Sequence, residues 1–325
     1  MRLRRHSNQL YVATPAKLNL FLELLGKRDD GYHQIETVMT TVSLFDELRF
    51  TPTDDGQISM SVRLVGVGVD RREQDVIPNN QRNLVVQALT LLLNDAAERG
   101  VEVDRPGMQV ELNKRIPSAA GLGGASSNAA GALIAGNLLW SLGLRREQLA
   151  ELAAQLGSDI PFFIYGGMAV CEGRGEIISP VDHRLGPIDV VIVKPGIALS
   201  TRDVFSQVDL TDDPVSRVPL TDAVRCGDRI DLGRQMMNRM ESAAGKLTGE
   251  VSAIGQQFET IGCLGHQMSG SGSSYFGVFR NRNSAQRAAR KLQARMPSAR
   301  VFYARSESGA YGNQLPAGPT VLAEA

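Results

Sequence analysis

The chain is poor in the residues that build metal centres and disulfide frameworks. Its 325 residues include three cysteines, Cys171, Cys226 and Cys263, and four histidines, His6, His33, His183 and His266. The cysteines are odd in number, far apart and form no CxxC pair, which speaks against a disulfide framework or a structural zinc site. No two histidines form an HExxH or HxxxH pair, so a catalytic metal built on histidine is not expected. Aromatics are scarce at 5%, and net charge is missing altogether, 35 Lys and Arg balancing 35 Asp and Glu. Binders of nucleic acid usually carry a basic excess, so that partner class is not expected. No apolar run approaches ~18 residues, the length a membrane-spanning helix needs. The basic start Met1-Arg-Leu-Arg-Arg-His lacks the apolar core of a signal peptide. These absences predict a cytoplasmic protein without membrane or nucleic-acid partners, and leave monomer and homodimer both open.

Glycine is in excess, 33 of 325 residues or about 10%, against roughly 7% in typical usage. The length suggests about two domains of roughly 150 residues. Residues 11–16 and 18–25 read as strand material interrupted by Pro15, and 35–50 alternates as strands do. Residues 84–99 make a strong helix with Asn83 as N-cap candidate and Gly100 at its stop. Residues 108–113 alternate as a strand, 126–142 and 146–156 read as helices, and 189–193 reads as a buried strand. One helix is expected within 232–244, and 276–304 reads as strand, helix, strand. A boundary near 180–190 gives a first domain over 1–185 and a second over 186–308. Residues 309–325, rich in Gly, Pro and Ala, read as a flexible tail.

Four segments carry candidate chemistry. The first is Pro117-Ser-Ala119-Ala120-Gly121-Leu122-Gly123-Gly124-Ala125-Ser126-Ser127, between a strand and a helix of small residues. Glycines expose backbone N–H groups, and a helix N-terminus adds unpaired donors and a positive dipole end, so the loop suits a phosphate. It is neither GxxxxGK[ST] nor a full GxGxxG fingerprint, and by itself it reads equally well as a tight loop. The second is Met268-Ser269-Gly270-Ser271-Gly272-Ser273-Ser274 before the apolar strand 275–279, a turn that is commonly structural. The third is Thr14-Pro15-Ala16-Lys17-Leu18-Asn19. The fourth, Gly157-Ser158-Asp159-Ile160-Pro161-Phe162, puts an Asp where it could simply cap a short helix.

In order and spacing, these segments resemble the GHMP kinase superfamily. Pro15-Ala-Lys17-Leu-Asn19-Leu-Phe21-Leu followed by Gly31-Tyr32-His33, with Gly157-Ser-Asp159-Ile-Pro-Phe, is similar to its branch that phosphorylates a cytidylyl-methylerythritol. The resemblance covers about residues 12–305. It implies an α+β fold, with an N-terminal domain like the second domain of ribosomal protein S5 and a ferredoxin-like C-terminal domain. It implies ATP as phosphoryl donor and the 2-hydroxyl of 4-diphosphocytidyl-2-C-methyl-D-erythritol as acceptor. Homoserine or mevalonate is the alternative acceptor.

The resemblance also implies roles. Asp159 would take the hydroxyl proton, and Lys17 beside it would favour the developing alkoxide. Pro117 and residues 119–127 (Ala119, Ala120, Gly121, Leu122, Gly123, Gly124, Ala125, Ser126 and Ser127) would hold the ATP phosphates. Asn83 matches a position near the adenine, and its reading as a helix cap is equally good. Tyr32, His33 and Phe205 would surround the cytosine, with Asn19, Thr201, Gly270 and Gly272 on the rest of the substrate. Mg²⁺ is expected with ATP, but no residue is assigned as its ligand.

Overall fold

The computed structural model describes residues 1–66, 77–210 and 213–307. The expected tail over 309–325 lies outside them, as do residues 67–76. The chain begins with β1 (Arg2–His6), β2 (Gln9–Lys27), β3 (His33–Thr53) and β4 (Ile58–Leu64). Then follow α1 (Leu84–Glu98), β5 (Gly107–Lys114), α2 (Gly124–Leu139), α3 (Arg146–Leu156), α4 (Ile160–Tyr165), β6 (Met168–Gly173) and β7 (Ile177–Pro180). These strands make one sheet in the order β1-β2-β3-β5-β4. β3 is long enough to serve two partners, β6 along its first half and β5 along its second. β2 does not break at Pro15. It runs through with register shifts at Pro15/Ala16, Asn19/Phe21 and Leu24/Gly26, bulges that absorb the missing proline donor.

The second sheet starts with β8 (Asp189–Lys194) and is completed after a helical stretch. That stretch comprises α5 (Thr201–Ser206), α6 (Val218–Cys226), α7 (Arg229–Gln235), the two-residue β9 (Met237–Asn238), α8 (Met240–Leu247) and α9 (Gly249–Glu259). Then come β10 (Gly265–Met268), β11 (Tyr275–Phe279), α10 (Arg282–Arg295) and β12 (Arg300–Arg305). The antiparallel order β10-β11-β8-β12 is the ferredoxin-like arrangement. The single helix expected within 232–244 is instead two helices split by β9, which leaves the helical path to pair parallel with Phe21 and Leu22 of β2.

Apolar packing explains how the layers meet. Val85, Leu89 and Leu92 of α1 and Leu133 of α2 pack on Phe50, Val110 and Leu112 of the large sheet. Ala16, Leu18 and Leu20 of β2 share a second cluster with Val190, Ile192 and Phe276 of the small sheet. A third cluster joins Val191, Val193 and Phe279 to α8, α9 and α10. Burying a large aliphatic or aromatic side chain contributes about 1.5–3 kcal/mol. The second cluster therefore holds the two sheets together, and the residues alternating with it on β2, Lys17 and Asn19, lie where the halves meet.

Candidate active site

The glycine loop is anchored from below before it reaches any ligand. Asp46 of β3 is fully buried and has four donors. Its Oδ1 accepts from the backbone N–H of Arg115 and Ile116, both at 2.7 Å. Its Oδ2 accepts from Lys114 Nζ at 2.5 Å and Asn128 Nδ2 at 3.0 Å. One carboxylate thus ties the loop's entry to the first turns of α2. An alternating strand pattern around Asp46 gives no sign of this, because a lone Asp in a strand reads as a solvated side chain.

Between those ties the chain turns through left-handed conformations at Ala119 (φ 47°), Gly121 (φ 72°) and Gly123 (φ 66°). A Cβ on Gly121 would stand 2.0 Å from the carbonyl oxygen of Ser269, so this glycine is required by contact as well as conformation. Among the described residues, the N–H groups of Gly121 to Ser126 find no acceptor within the chain. They gather at the N-terminus of a 16-residue helix that has no acidic residue in its first turn. The Ser127 hydroxyl is buried without a hydrogen-bond partner. Pro117 is buried too, and the side chains of Ala120 and Leu122 belong to the core, which leaves only backbone groups of these two to face a ligand.

The second glycine loop closes on the first. Ser269 Oγ donates to Gly121 O at 3.0 Å, and Ser274 N donates to Ala120 O at 3.2 Å. Lys17 lies where they meet: its backbone N–H donates to Leu122 O at 2.9 Å. Its ammonium donates to Asn19 Oδ1 at 2.5 Å and stands 3.7 Å from Asp159 Oδ2. A Cβ on Gly270 would lie 3.2 Å from that ammonium. Asn19 in turn donates to Thr37 Oγ1 at 2.9 Å. Asp159 occupies the cap position of α4 but makes no capping hydrogen bond. Its side chain is 37% exposed, whereas that of Lys17 is 5% exposed. The carboxylate is open to an incoming hydroxyl, with a buried cation behind it.

At the outer end, His33 at the start of β3 stacks on Phe205 of α5, ring centroids 4.8 Å apart and 22° from parallel, too close for a third ring between them. Burial, then the charge of Lys27, lowers the His33 pKa and favours the neutral imidazole. Tyr32 is exposed and carries the Arg174 guanidinium over its ring at 5.2 Å. Thr201 Oγ1 lies 2.9 Å from Ser271 Oγ, joining α5 to the second glycine loop. Asn83 is the N-cap of α1, accepting from Val85 N at 2.9 Å and donating to Pro78 O at 2.6 Å.

The GHMP kinases N terminal domain matches residues 83–167, and the GHMP kinases C terminal matches residues 220–298. A 4-diphosphocytidyl-2-C-methyl-D-erythritol kinase of Syntrophomonas wolfei is 35% identical over 288 residues, 88% of this chain and 95% of its own. The chain belongs to the 4-diphosphocytidyl-2-C-methyl-D-erythritol kinases, within the GHMP kinases. A crystal structure of a 4-(cytidine 5'-diphospho)-2C-methyl-D-erythritol kinase superposes with TM-score 0.72 at 31% identity, covering 91% of this chain and 98% of its own. A homoserine kinase from Cytophaga hutchinsonii reaches the same TM-score at 17% identity, with 95% and 98% covered, which shows the fold alone.

A member of these kinases uses ATP, and the residues present fit it. The unpaired N–H groups, the orphaned Ser127 hydroxyl and the cradle that a Cβ on Gly121 would fill all suit its phosphates. Among the described residues no three His, Cys, Asp or Glu side chains gather to hold a metal ion, and Mg²⁺ is assigned no residue. Nor, among the described residues, is any helix long and apolar enough to cross a membrane.

Proposed function

We propose that this chain phosphorylates the 2-hydroxyl of 4-diphosphocytidyl-2-C-methyl-D-erythritol at the point where Lys17, Asp159 and the two glycine loops meet. The reaction gives the 2-phosphate and ADP, a step of the non-mevalonate route to isoprenoid precursors. The observation that carries this reading is the open Asp159 carboxylate 3.7 Å from a buried lysine, whose backbone N–H bonds Leu122 O in the loop whose own N–H groups find no acceptor among the described residues.

ATP supplies the phosphoryl group when bound. The chain's residues position and neutralise, as phosphoryl transfer chiefly requires. Asp159 accepts the hydroxyl proton as oxygen attacks, and Lys17, held by Asn19, stabilises the alkoxide that forms. Gly121 to Ser126 direct backbone donors at the phosphates. Mg²⁺ would take its ligands mostly from phosphate oxygens and water. Tyr32, His33 and Phe205 receive the cytosine, and stacking of a base on an aromatic ring contributes about 1–3 kcal/mol. Asn19, Thr201 and Gly270 line the path from the base to Lys17.

The test is ATP consumption with the cytidylyl substrate, homoserine and mevalonate offered in parallel. The expected outcome is turnover of the first alone. Phosphorylation of homoserine or mevalonate without the cytidylyl substrate rejects the assignment.

A further inference from the structure

The second glycine loop closes on itself through Ser269 N to Ser274 O at 2.9 Å and Gly272 N to Ser269 O at 3.0 Å, and two side chains from the helical stretch hold it from below. β9 leaves the helical stretch and pairs with β2, with Arg239 N donating to Leu22 O at 2.9 Å. That places Asn238 under the loop. Its Nδ2 donates to both Met268 O and Gly270 O at 2.8 Å, and its Oδ1 accepts from Met240 N at 3.0 Å. Both amide protons and the amide oxygen are used. A carboxylate of the same shape would turn an oxygen on two carbonyls. Three residues on, Glu241 holds the loop's two ends: Oε2 accepts from Met268 N at 2.9 Å and Oε1 from Tyr275 OH at 2.8 Å. Tyr275 also meets His266 Nδ1 at 3.0 Å.

We infer that Asn238 and Glu241 are positioning residues for phosphoryl transfer, holding the second glycine loop against Gly121 and Lys17. Neither touches Lys17 in any hydrogen bond. They act through the backbone of 268–270, whose Ser269 hydroxyl bonds Gly121 O and whose Gly270 faces the Lys17 ammonium. The pair lies outside all four segments that the sequence singled out. Sequence periodicity does not mark it, because the partners in the loop are backbone atoms and one tyrosine hydroxyl about 30 residues away.

The inference rests on the proposed reaction, and the experiment separates the two. Turnover of the unsubstituted chain is measured first on the three alcohols, and the variants are then assayed on whichever it phosphorylates. Asn238→Asp and Glu241→Ala should lower kcat about 10²-fold, the scale of a small misplacement of reacting groups. The KM for the alcohol should rise far less than kcat falls, and circular dichroism and thermal melting should show a folded chain. Glu241→Gln keeps an acceptor for Met268 N and can donate to the Tyr275 oxygen, so it should restore most of the kcat lost in Glu241→Ala. Unchanged kcat in folded Asn238→Asp and Glu241→Ala overturns the inference, as do equal losses in Glu241→Gln and Glu241→Ala. If Asn238→Asp does not fold, the two Glu241 variants decide.

Discussion

Asp159 shows how one side chain is kept available. It stands where a helix cap would stand, yet α4 begins without its help, Pro161 occupying the first turn instead. Lys17 spends its short hydrogen bond on Asn19, so the carboxylate retains lone pairs for a substrate proton. Asp159→Asn should reduce turnover by about 10²–10⁴, the usual contribution of a general base. ATP binding by calorimetry should persist, and near-native turnover would remove Asp159 from the role. His33 is held neutral by burial and Lys27, its pKa below the ordinary 6.5. A lowered value means the ring takes up its proton only at a pH lower than free histidine does. The KM for the cytidylyl substrate should therefore be flat on the alkaline side and rise as the ring takes up its proton, with a midpoint below that of an ordinary histidine. A midpoint at or above the ordinary histidine value would contradict this role, as would an ATP KM raised as much as the substrate KM in His33→Ala. Asp159, Lys17 and His33 stand out as candidates in sequence because their neighbours are distinctive. Asp46 was not, since nothing local reveals that two backbone N–H groups, a lysine and an asparagine converge on it.

The elements that matter are those whose ends form the site. α2 starts in a left-handed glycine, Gly123, and the chain before it is pinned at Arg115 and Ile116. Gly121→Ala tests this element directly. The new methyl would meet Ser269 O, and the left-handed backbone would itself cost of order 1–3 kcal/mol. The expected outcome is a large rise in the ATP KM with a lower melting temperature, while the cytidylyl substrate still binds. Unaltered ATP kinetics would mean that the two glycine loops need not approach so closely. Glycines, caps and clean periodicity made α1, α2 and α3 readable. The stretch over 232–244 misled for a physical reason. Met236, Met237 and Met240 keep a helical spacing of apolar residues, but Asn238 gains two carbonyls by leaving the helix, and pairing with β2 completes the exchange. Long-range hydrogen bonds of this type carry no periodicity.

Across the whole molecule, the two sheets are joined by a shared apolar cluster and by polar ties at its edge. The firmest is Glu23 of β2, fully buried, which accepts from Arg239 at 2.7 and 2.8 Å and from the N–H groups of Val215 and Leu24, each at 2.8 Å. Burial alone would raise its pKa. The hydrogen bonds from Arg239, Val215 and Leu24 outweigh that and hold it below 4.5. Stability from this tie is therefore complete above pH 4.5 and is lost as pH falls through the lower folded value. Arg239→Met leaves the carboxylate buried without its cation and should cost about 3–5 kcal/mol at neutral pH. Denaturant unfolding at pH 7 and pH 4 should show the loss shrinking at the acidic end. An unchanged midpoint at pH 7 would show that the tie contributes little.

The three slips along β2 set the phase of its side chains. Lys17 and Asn19 sit between the first and second, on a short run of strand whose alternation is fixed at both ends. A single residue inserted or deleted inside that run would exchange Lys17 for an aliphatic neighbour and turn the ammonium into the apolar layer between the sheets. The stretch from Pro15 to Phe21 thus tolerates replacement of residues far better than any change in their number.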